Sequence, residues 1–280
     1  MRTIAVFVNP DKPRAVEMKA RLEELLCAAG LRTLCFETGH RHADADLSAL
    51  REAELAFVLG GDGTLLGVAR QLAPLGVPLL GINAGHLGFL SEAEPANLED
   101  TVRRVAARDY ALEERMMLEA SLTRRGRTEQ TLIGLNDVGI AKGSFARMVT
   151  VDVYVDDVFV DSYSGDGLIV STPTGSTAYS LSCGGPILMP QLKVMLITPI
   201  CPHTLVARPC VIDSRQQVRL VVHATHRDVG MTMDGQVGVT LCPGDEVVVR
   251  ESQARTVLVK LGKREFFDVL RSKLHGGNNH

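Results

Sequence analysis

Phe57-Val58-Leu59-Gly60-Gly61-Asp62-Gly63-Thr64 is an apolar run that ends in three glycines set around one carboxylate. The run predicts a buried strand, and the glycines predict a sharp turn behind it. Glycine carries no Cβ, so main chain there can approach a ligand closely and reach positive φ. Successive N–H groups in such a turn form a concave nest for phosphate oxygens. Asp62 is then the one local group able to accept a proton or hold a divalent metal. This layout suggests phosphoryl transfer, where positioning and charge neutralisation do most of the work.

Outward from that stretch, strands and helices alternate. Thr3 to Val8 is a β-branched run that leads through Asn9-Pro10-Asp11-Lys12-Pro13 into a helical pattern. Met18, Leu22, Leu25, Leu26 and Ala29 share one face there, and Gly30 follows as a cap. Leu31 to Phe36, Ala56 to Leu59 and Val77 to Ile82 read as further strands, with a helix to about Leu72 between the last two. This order implies parallel βαβ units. Ligands gather at the carboxyl ends of such strands. The loop Asn83-Ala84-Gly85-His86-Leu87-Gly88-Phe89 also follows a strand, so both glycine-rich loops are expected to face one crevice and to share in cradling phosphate.

From Arg115 the pattern changes to short strands: Met117 to Leu122, Met148 to Val155, Gly167 to Ser171, Val218 to Val222 and Glu246 to Val249. Asp156-Asp157 is a hairpin signal, and Arg124-Arg125-Gly126-Arg127 reads as a solvated hairpin turn. The fold expected is an α/β, Rossmann-like N-terminal domain and a mainly antiparallel, β-rich C-terminal domain. Phe266 to Leu274 is a helix with basic residues in its last turns, expected to pack back on the first domain. His275 to His280 reads as frayed. The expected boundaries are 1–114, joined by the returning 258–280, and 115–257.

The 280 residues are 45 % hydrophobic, enough for sizeable cores. Only 4 % are aromatic and none is Trp, which disfavours a platform for single-stranded nucleic acid. A net charge of −3 makes a polyanion or an anionic membrane an unsuitable main partner. No apolar stretch is long enough to span a bilayer, and the N-terminus lacks a signal-peptide core. Cysteines at 27, 35, 183, 201, 210 and 242 have no zinc-knuckle or redox spacing. They predict reduced, buried thiols and a cytoplasmic setting.

Three later segments carry chemistry. In Leu135-Asn136-Asp137-Val138 a polar pair between apolar residues suits ribose hydroxyls or base edges. In Asp166 to Ser182 a strand runs into Pro173-Thr174-Gly175-Ser176-Thr177 and a helix start. Hydroxyls at 174, 176 and 177 are expected to cap that helix, its N-terminus to receive an anion, and Tyr179 to offer a flat face to an adenine. Met233-Asp234-Gly235-Gln236 reads as a hairpin turn. The sequence has no Walker-type phosphate loop, no nucleophile elbow and no helical pair of zinc histidines.

With these segments in this order, the chain resembles the NAD kinases from about residue 3 to 270. Gly60-Gly61-Asp62-Gly63-Thr64 alone resembles a wider superfamily that includes lipid kinases and 6-phosphofructokinases. Asn83 to Leu90, Asn136-Asp137, Asp166 to Ser182, Gly184-Gly185-Pro186-Ile187, Ile197 to Leu205 and Asp234-Gly235-Gln236 narrow it. The resemblance implies transfer of the γ-phosphoryl of ATP to the 2′-hydroxyl of the adenosine ribose of NAD, giving NADP. It implies a divalent metal ion, Mg²⁺, with no ligand set named, and a homo-oligomer, dimer or tetramer. By motif, Asp62 is the catalytic carboxylate, Gly63 touches the substrate and Asn83 belongs to the nucleotide site. Asn136 and Asp137 hold the nucleoside, Arg147 and Thr174 contact substrate, and Gln236 closes the pocket. Asp166 and Thr177, Ala178, Tyr179, Ser180, Leu181 and Ser182 line the nicotinamide side. Two positions depart from the family pattern. Asp137 stands where many members have Glu, and Ser164, also in the substrate site, stands where many have a basic residue. A kinase for a sugar or lipid hydroxyl and a non-catalytic dinucleotide sensor are the competing readings.

Overall fold

The computed structural model describes residues 1–39, 47–85, 88–143, 147–204, 206–224, 228–262 and 265–274. The chain forms two units, one of Met1–Glu114 with the chain from Thr256, the other Arg115–Arg255. His86, Leu87, Leu205 and His275 to His280, all in segments read above, lie outside the described residues.

The first unit begins β1 (Thr3–Val8), α1 (Pro13–Ala28), β2 (Arg32–Glu37), α2 (Leu47–Leu50) and β3 (Ala53–Gly60). It continues with α3 (Asp62–Leu72), β4 (Leu79–Asn83) and α4 (Leu98–Ala107). The sheet runs β2-β1-β3-β4, parallel throughout. β1 and β4 are buried along their whole length, as expected of strands covered on both faces. Pro13 starts α1, where its missing N–H costs nothing. Ala15, Met18, Leu22 and Leu26 form its buried stripe, while Ala29 is exposed. Gly30, at φ +73°, ends it.

The second unit is an antiparallel sandwich. Its strands are β5 (Ala111–Arg124, which begins in the first unit), β6 (Arg127–Gly134), β7 (Asp137–Lys142), β8 (Val149–Val155), β9 (Val158–Gly165) and β10 (Gly167–Ser171). The short α5 (Tyr179–Ser182) precedes β11 (Val194–Ile200), β12 (Cys210–Asp213), β13 (Val218–His223), β14 (Val229–Met233), β15 (Val237–Leu241) and β16 (Glu246–Lys260). One sheet orders β12-β11-β10-β7-β14-β15, and β16-β13-β8-β9 lie in the other. Val138, Ile140, Leu168, Val170 and Ile197 from the first meet Val151, Val153, Leu220 and Val249 from the second in one core. Strand alternation therefore turns Asp137, Ser171 and Thr198 to the opposite face of the six-stranded sheet. The Asp156-Asp157 and Arg125-Gly126 turns both take positive φ at both residues, the geometry that matches strand twist.

β16 continues into the first unit, where Leu258 pairs with Leu79 of β4 in parallel. α6 (Phe266–Leu274) follows. No helix among the described residues is long and apolar enough to cross a membrane. The buried-thiol expectation fails. Cys27, Cys35 and Cys201 are exposed, and Cys183, Cys210 and Cys242 are half-buried, all as free thiols. Cys35 lies on edge strand β2, where its thiol donates to Glu23 Oε1 at 2.6 Å.

Candidate active site

In the first unit an open cleft of ≈ 730 Å³ lies at the carboxyl ends of the parallel strands. Gly61 and Asp62 after β3, Asn83 to Gly85 after β4, and Gly88 line it together. Both glycine-rich loops thus reach one cavity, as the βαβ pattern predicts. Asp62 is the first residue of α3, and its carboxylate accepts from Phe89 N at 2.8 Å, Leu90 N at 3.4 Å and Ser91 Oγ at 3.2 Å. A carboxylate has about four lone-pair sites, so these bonds aim the group yet leave it acceptor capacity. The loop can reach it only because residue 88 is glycine. A Cβ built there would lie 1.9 Å from Asp62 Oδ1. Gly63 beside it is exposed. Asn83 is buried, and its Oδ1 accepts Gly85 N at 2.8 Å, fixing the second loop.

Asp62 is not the only acid there. Asp11 lines the same cleft, and so do three cations, Lys12, Arg14 and Lys273. Lys12 sits at the start of α1, and Lys273 comes from α6, some 190 residues beyond β4 by the numbering. The Asn9-Pro10-Asp11-Lys12-Pro13 stretch, expected only to lead into a helix, gives the cleft Asp11, Lys12 and Pro13. The usable signal was its place directly behind a parallel strand. Two helix starts and three cations suit a polyanionic ligand.

In the second unit, Asn136 precedes β7 and Asp137 opens it, and the pair is held from two sides. The Asp234 carboxylate accepts Leu135 N at 3.2 Å, Asn136 N at 2.7 Å and Asp137 N at 3.2 Å. Asp234, named above only as part of a hairpin turn and of the family-like Asp234-Gly235-Gln236 segment, is the residue that shapes this corner. From the other side Thr172 N donates to Asn136 O at 2.8 Å, and Thr172 Oγ1 donates to Leu135 O at 2.7 Å. Gly175 then passes so near that a Cβ would lie 2.1 Å from Asn136 O. Asp137 is 6 % exposed. Burial, with the Asp234 charge added, pushes its carboxyl up to about 7.

The structure corrects the capping expectation. Thr174–Thr177 form a 3₁₀ turn, α5 is only four residues long, and neither has a side-chain cap. The hydroxyls turn inward instead. Ser176 Oγ donates to Pro173 O and accepts Leu188 N, Thr177 Oγ1 donates to Thr174 O, and Ser180 Oγ meets Thr198 Oγ1 at 2.8 Å. Ahead of the 3₁₀ turn, Gly175 N donates to Thr172 Oγ1 at 3.0 Å. A four-residue helix has no useful dipole, so the anion role there falls too.

Thr174 is buried and accepts from Arg115 at 3.2 Å. Thr177, Ala178 and Leu181 are half-buried, and Tyr179, Ser182, Arg147 and Gln236 are exposed. Ser164 Oγ bonds Thr150 Oγ1 at 2.7 Å. Lys142 supplies a positive charge 3.3 Å from Asp166 Oδ1. The Arg124 turn is less solvated than its sequence suggested, because Arg124 forks onto Asp245 at 2.7–3.2 Å.

Known proteins match at full length. The ATP-NAD kinase N-terminal domain matches residues 4–110, and the ATP-NAD kinase C-terminal domain matches 135–261. An NAD kinase of Heliobacterium modesticaldum is 46 % identical over 99 % of this chain and 100 % of its own. One of Moorella thermoacetica is 44 % identical over 100 % and 91 %. Among solved structures, an NAD kinase from Archaeoglobus fulgidus in complex with ATP is similar at TM-score 0.77 and 26 % identity, over 98 % of this chain and 99 % of that one. Yeast NADH kinase complexed with NADH shares the fold at TM-score 0.87 and 23 % identity, over 100 % and 89 %.

Proposed function

We infer the chemistry from one premise: the chain belongs to the NAD kinase family. It is a phosphotransferase that moves the γ-phosphoryl of ATP to the 2′-hydroxyl of the adenosine ribose of NAD, making NADP. The full-length match to NAD kinases carries this reading. The roles of individual residues are our proposal.

Asp62 carries the acceptor step. A ribose hydroxyl is scarcely ionised at neutral pH, so a carboxylate that takes its proton as attack develops is worth roughly 10²–10⁴-fold. Three donors already hold Asp62 in one orientation, which supports that use. Lys12, Arg14 and Lys273 supply charge for the ATP phosphates, and Gly63 gives substrate a bare stretch of main chain. Asn83 keeps the second loop in place. Asn136 and Asp137 take the nucleoside hydroxyls and base edge, and the Thr174 to Ser182 segment with Asp166, Ser164, Arg147 and Gln236 lines the rest of the NAD site.

Among the described residues no group of three His, Cys, Asp or Glu forms a metal cage. That suits Mg²⁺, which is usually held by one or two carboxylates plus substrate phosphates. Asp62 and Asp11 are the carboxylates on hand, and the ion would neutralise phosphate charge. The same proposal takes the enzyme as a cytoplasmic homo-oligomer.

Coupled NADP formation with ATP and Mg²⁺ tests the scheme. Asp62→Asn is expected to lower kcat by about 10²-fold or more with KM for NAD little changed. Near-full turnover in that variant removes Asp62 as the base. Recovery with excess Mn²⁺ makes it a metal ligand instead.

A further inference from the structure

Ser171 ends β10, and in the antiparallel ladder it stands directly opposite Asp137 of β7. Both side chains therefore project from the same face of the sheet, with Cβ atoms about 4.5–5.5 Å apart. Ser171 is fully buried, and among the described residues its hydroxyl has no hydrogen-bond partner. Such orphans are rare and costly. The Asp137 carboxyl beside it is acted on by its own burial and by the like charge of Asp234. Asp234 cannot relieve it, because a carboxylate of like charge that already accepts three backbone N–H groups has no proton to donate. The Cys183 thiol, which follows α5, lies near enough that the Asp137 charge adds to the burial and the Cys201 charge that raise it.

We propose that Ser171 is a positioning residue of the nucleoside site: its hydroxyl donates to the Asp137 carboxylate and turns that group to accept a ribose hydroxyl of NAD. A step between staggered χ1 wells redirects a serine hydroxyl without moving the backbone. Asp137 is a methylene shorter than glutamate, so its reach depends more on how it is turned. The inference rests on the nucleoside role given to Asp137 above.

Ser171→Ala removes a hydroxyl that bonds nothing in the described structure, so the variant is expected to fold with its melting temperature unchanged or slightly raised. KM for NAD should rise about tenfold with kcat within about twofold. The bond forms in the NAD complex, and a lost donor disfavours the anion there, so the midpoint of the kcat profile against pH, read at saturating NAD, should move to higher pH. In an Asp137→Asn background the same substitution should do neither. If Asp137→Asn disturbs NAD binding while Ser171→Ala leaves KM and midpoint alone, the positioning role is wrong and the nucleoside role stands. Equal effects of Ser171→Ala with and without Asp137 also overturn it. If Asp137→Asn itself leaves KM for NAD unaltered, the nucleoside role falls, and the inference falls with it.

Discussion

An acid at 6 % exposure that titrates at about 7 makes stability depend on pH in a definite direction. Unfolded, Asp137 ionises near its ordinary value of 3.8. Between that value and 7 the unfolded chain gives up a proton that the folded chain keeps. Its contribution to stability is therefore fully present below about pH 4 and is lost as pH rises through about 7. Asparagine has nearly the same shape and never ionises. Asp137→Asn should accordingly raise the melting temperature near pH 8 and change it little near pH 4.5. Scanning calorimetry of both proteins at both pH values checks this, and an equal shift at the two would mean that Asp137 titrates normally. The site thus holds a group that opposes folding at working pH, as expected where binding rather than packing sets the residue. The sequence reading found the residue type at Asp137 but not its environment. That environment is burial first and then the charge of Asp234, which is 97 positions away in the chain and is brought close through β7–β14 pairing.

At the level of elements, legibility followed periodicity. β1, α3, β10 and α6 stand where alternation, apolar runs or helical spacing put them, because each buries one face or is wholly buried. The hydroxyl-rich 172–182 stretch misled, since Ser and Thr offer the backbone local alternatives to a helix and their partners cannot be read from spacing. The β8–β9 hairpin turn was legible, and it is not optimal. Asp157 holds φ +65° at a position that favours glycine. Its compensation is an ion pair with Arg219 at 3.2 Å, with Asp157 77 % exposed. Such pairs contribute about 0–1 kcal/mol, and Arg219 keeps its place over the Tyr154 ring without it. Left-handed backbone costs an ordinary residue about 1–2 kcal/mol, less for Asp. Asp157→Gly is therefore expected to raise the urea midpoint slightly. Asp156 is the wrong target, because its carboxylate accepts Gln217 N at 2.9 Å and Gln216 Nε2 at 3.0 Å. A lower midpoint for Asp157→Gly would show that the ion pair outweighs the backbone term.

Across the whole molecule the chain passes between its two units twice, after Glu114 and after Arg255. The second passage lies within β16, which runs on past Val249, the end of the strand expected from the apolar run. Arg250-Glu251-Ser252-Gln253-Ala254-Arg255 has no apolar alternation to carry a strand onward. Pairing with β5 sustains it instead, and Arg250 reaches Glu119 of β5 across that pair. Beyond that stretch Val259 and Leu261 enter the core of the first unit. Glu92 secures them: its side chain is 3 % exposed, it pairs with Lys260, and it accepts Leu261 N at 2.7 Å. Glu92→Ala leaves an ammonium without its carboxylate and a buried N–H without an acceptor. Removing one partner of a fully buried pair costs about 3–5 kcal/mol. Lys260 keeps partial access to water at 27 % exposure, so about 2–3 kcal/mol is expected. The loss should be local. Amides of 256–261 and of β4 should exchange faster in deuterium, while those of β7 and β10 keep their protection. Because Lys273 follows on the same returning segment, KM for ATP should rise while the NAD site is spared. Uniform acceleration across β7 and β10 would instead mean that the two units open as one cooperative body.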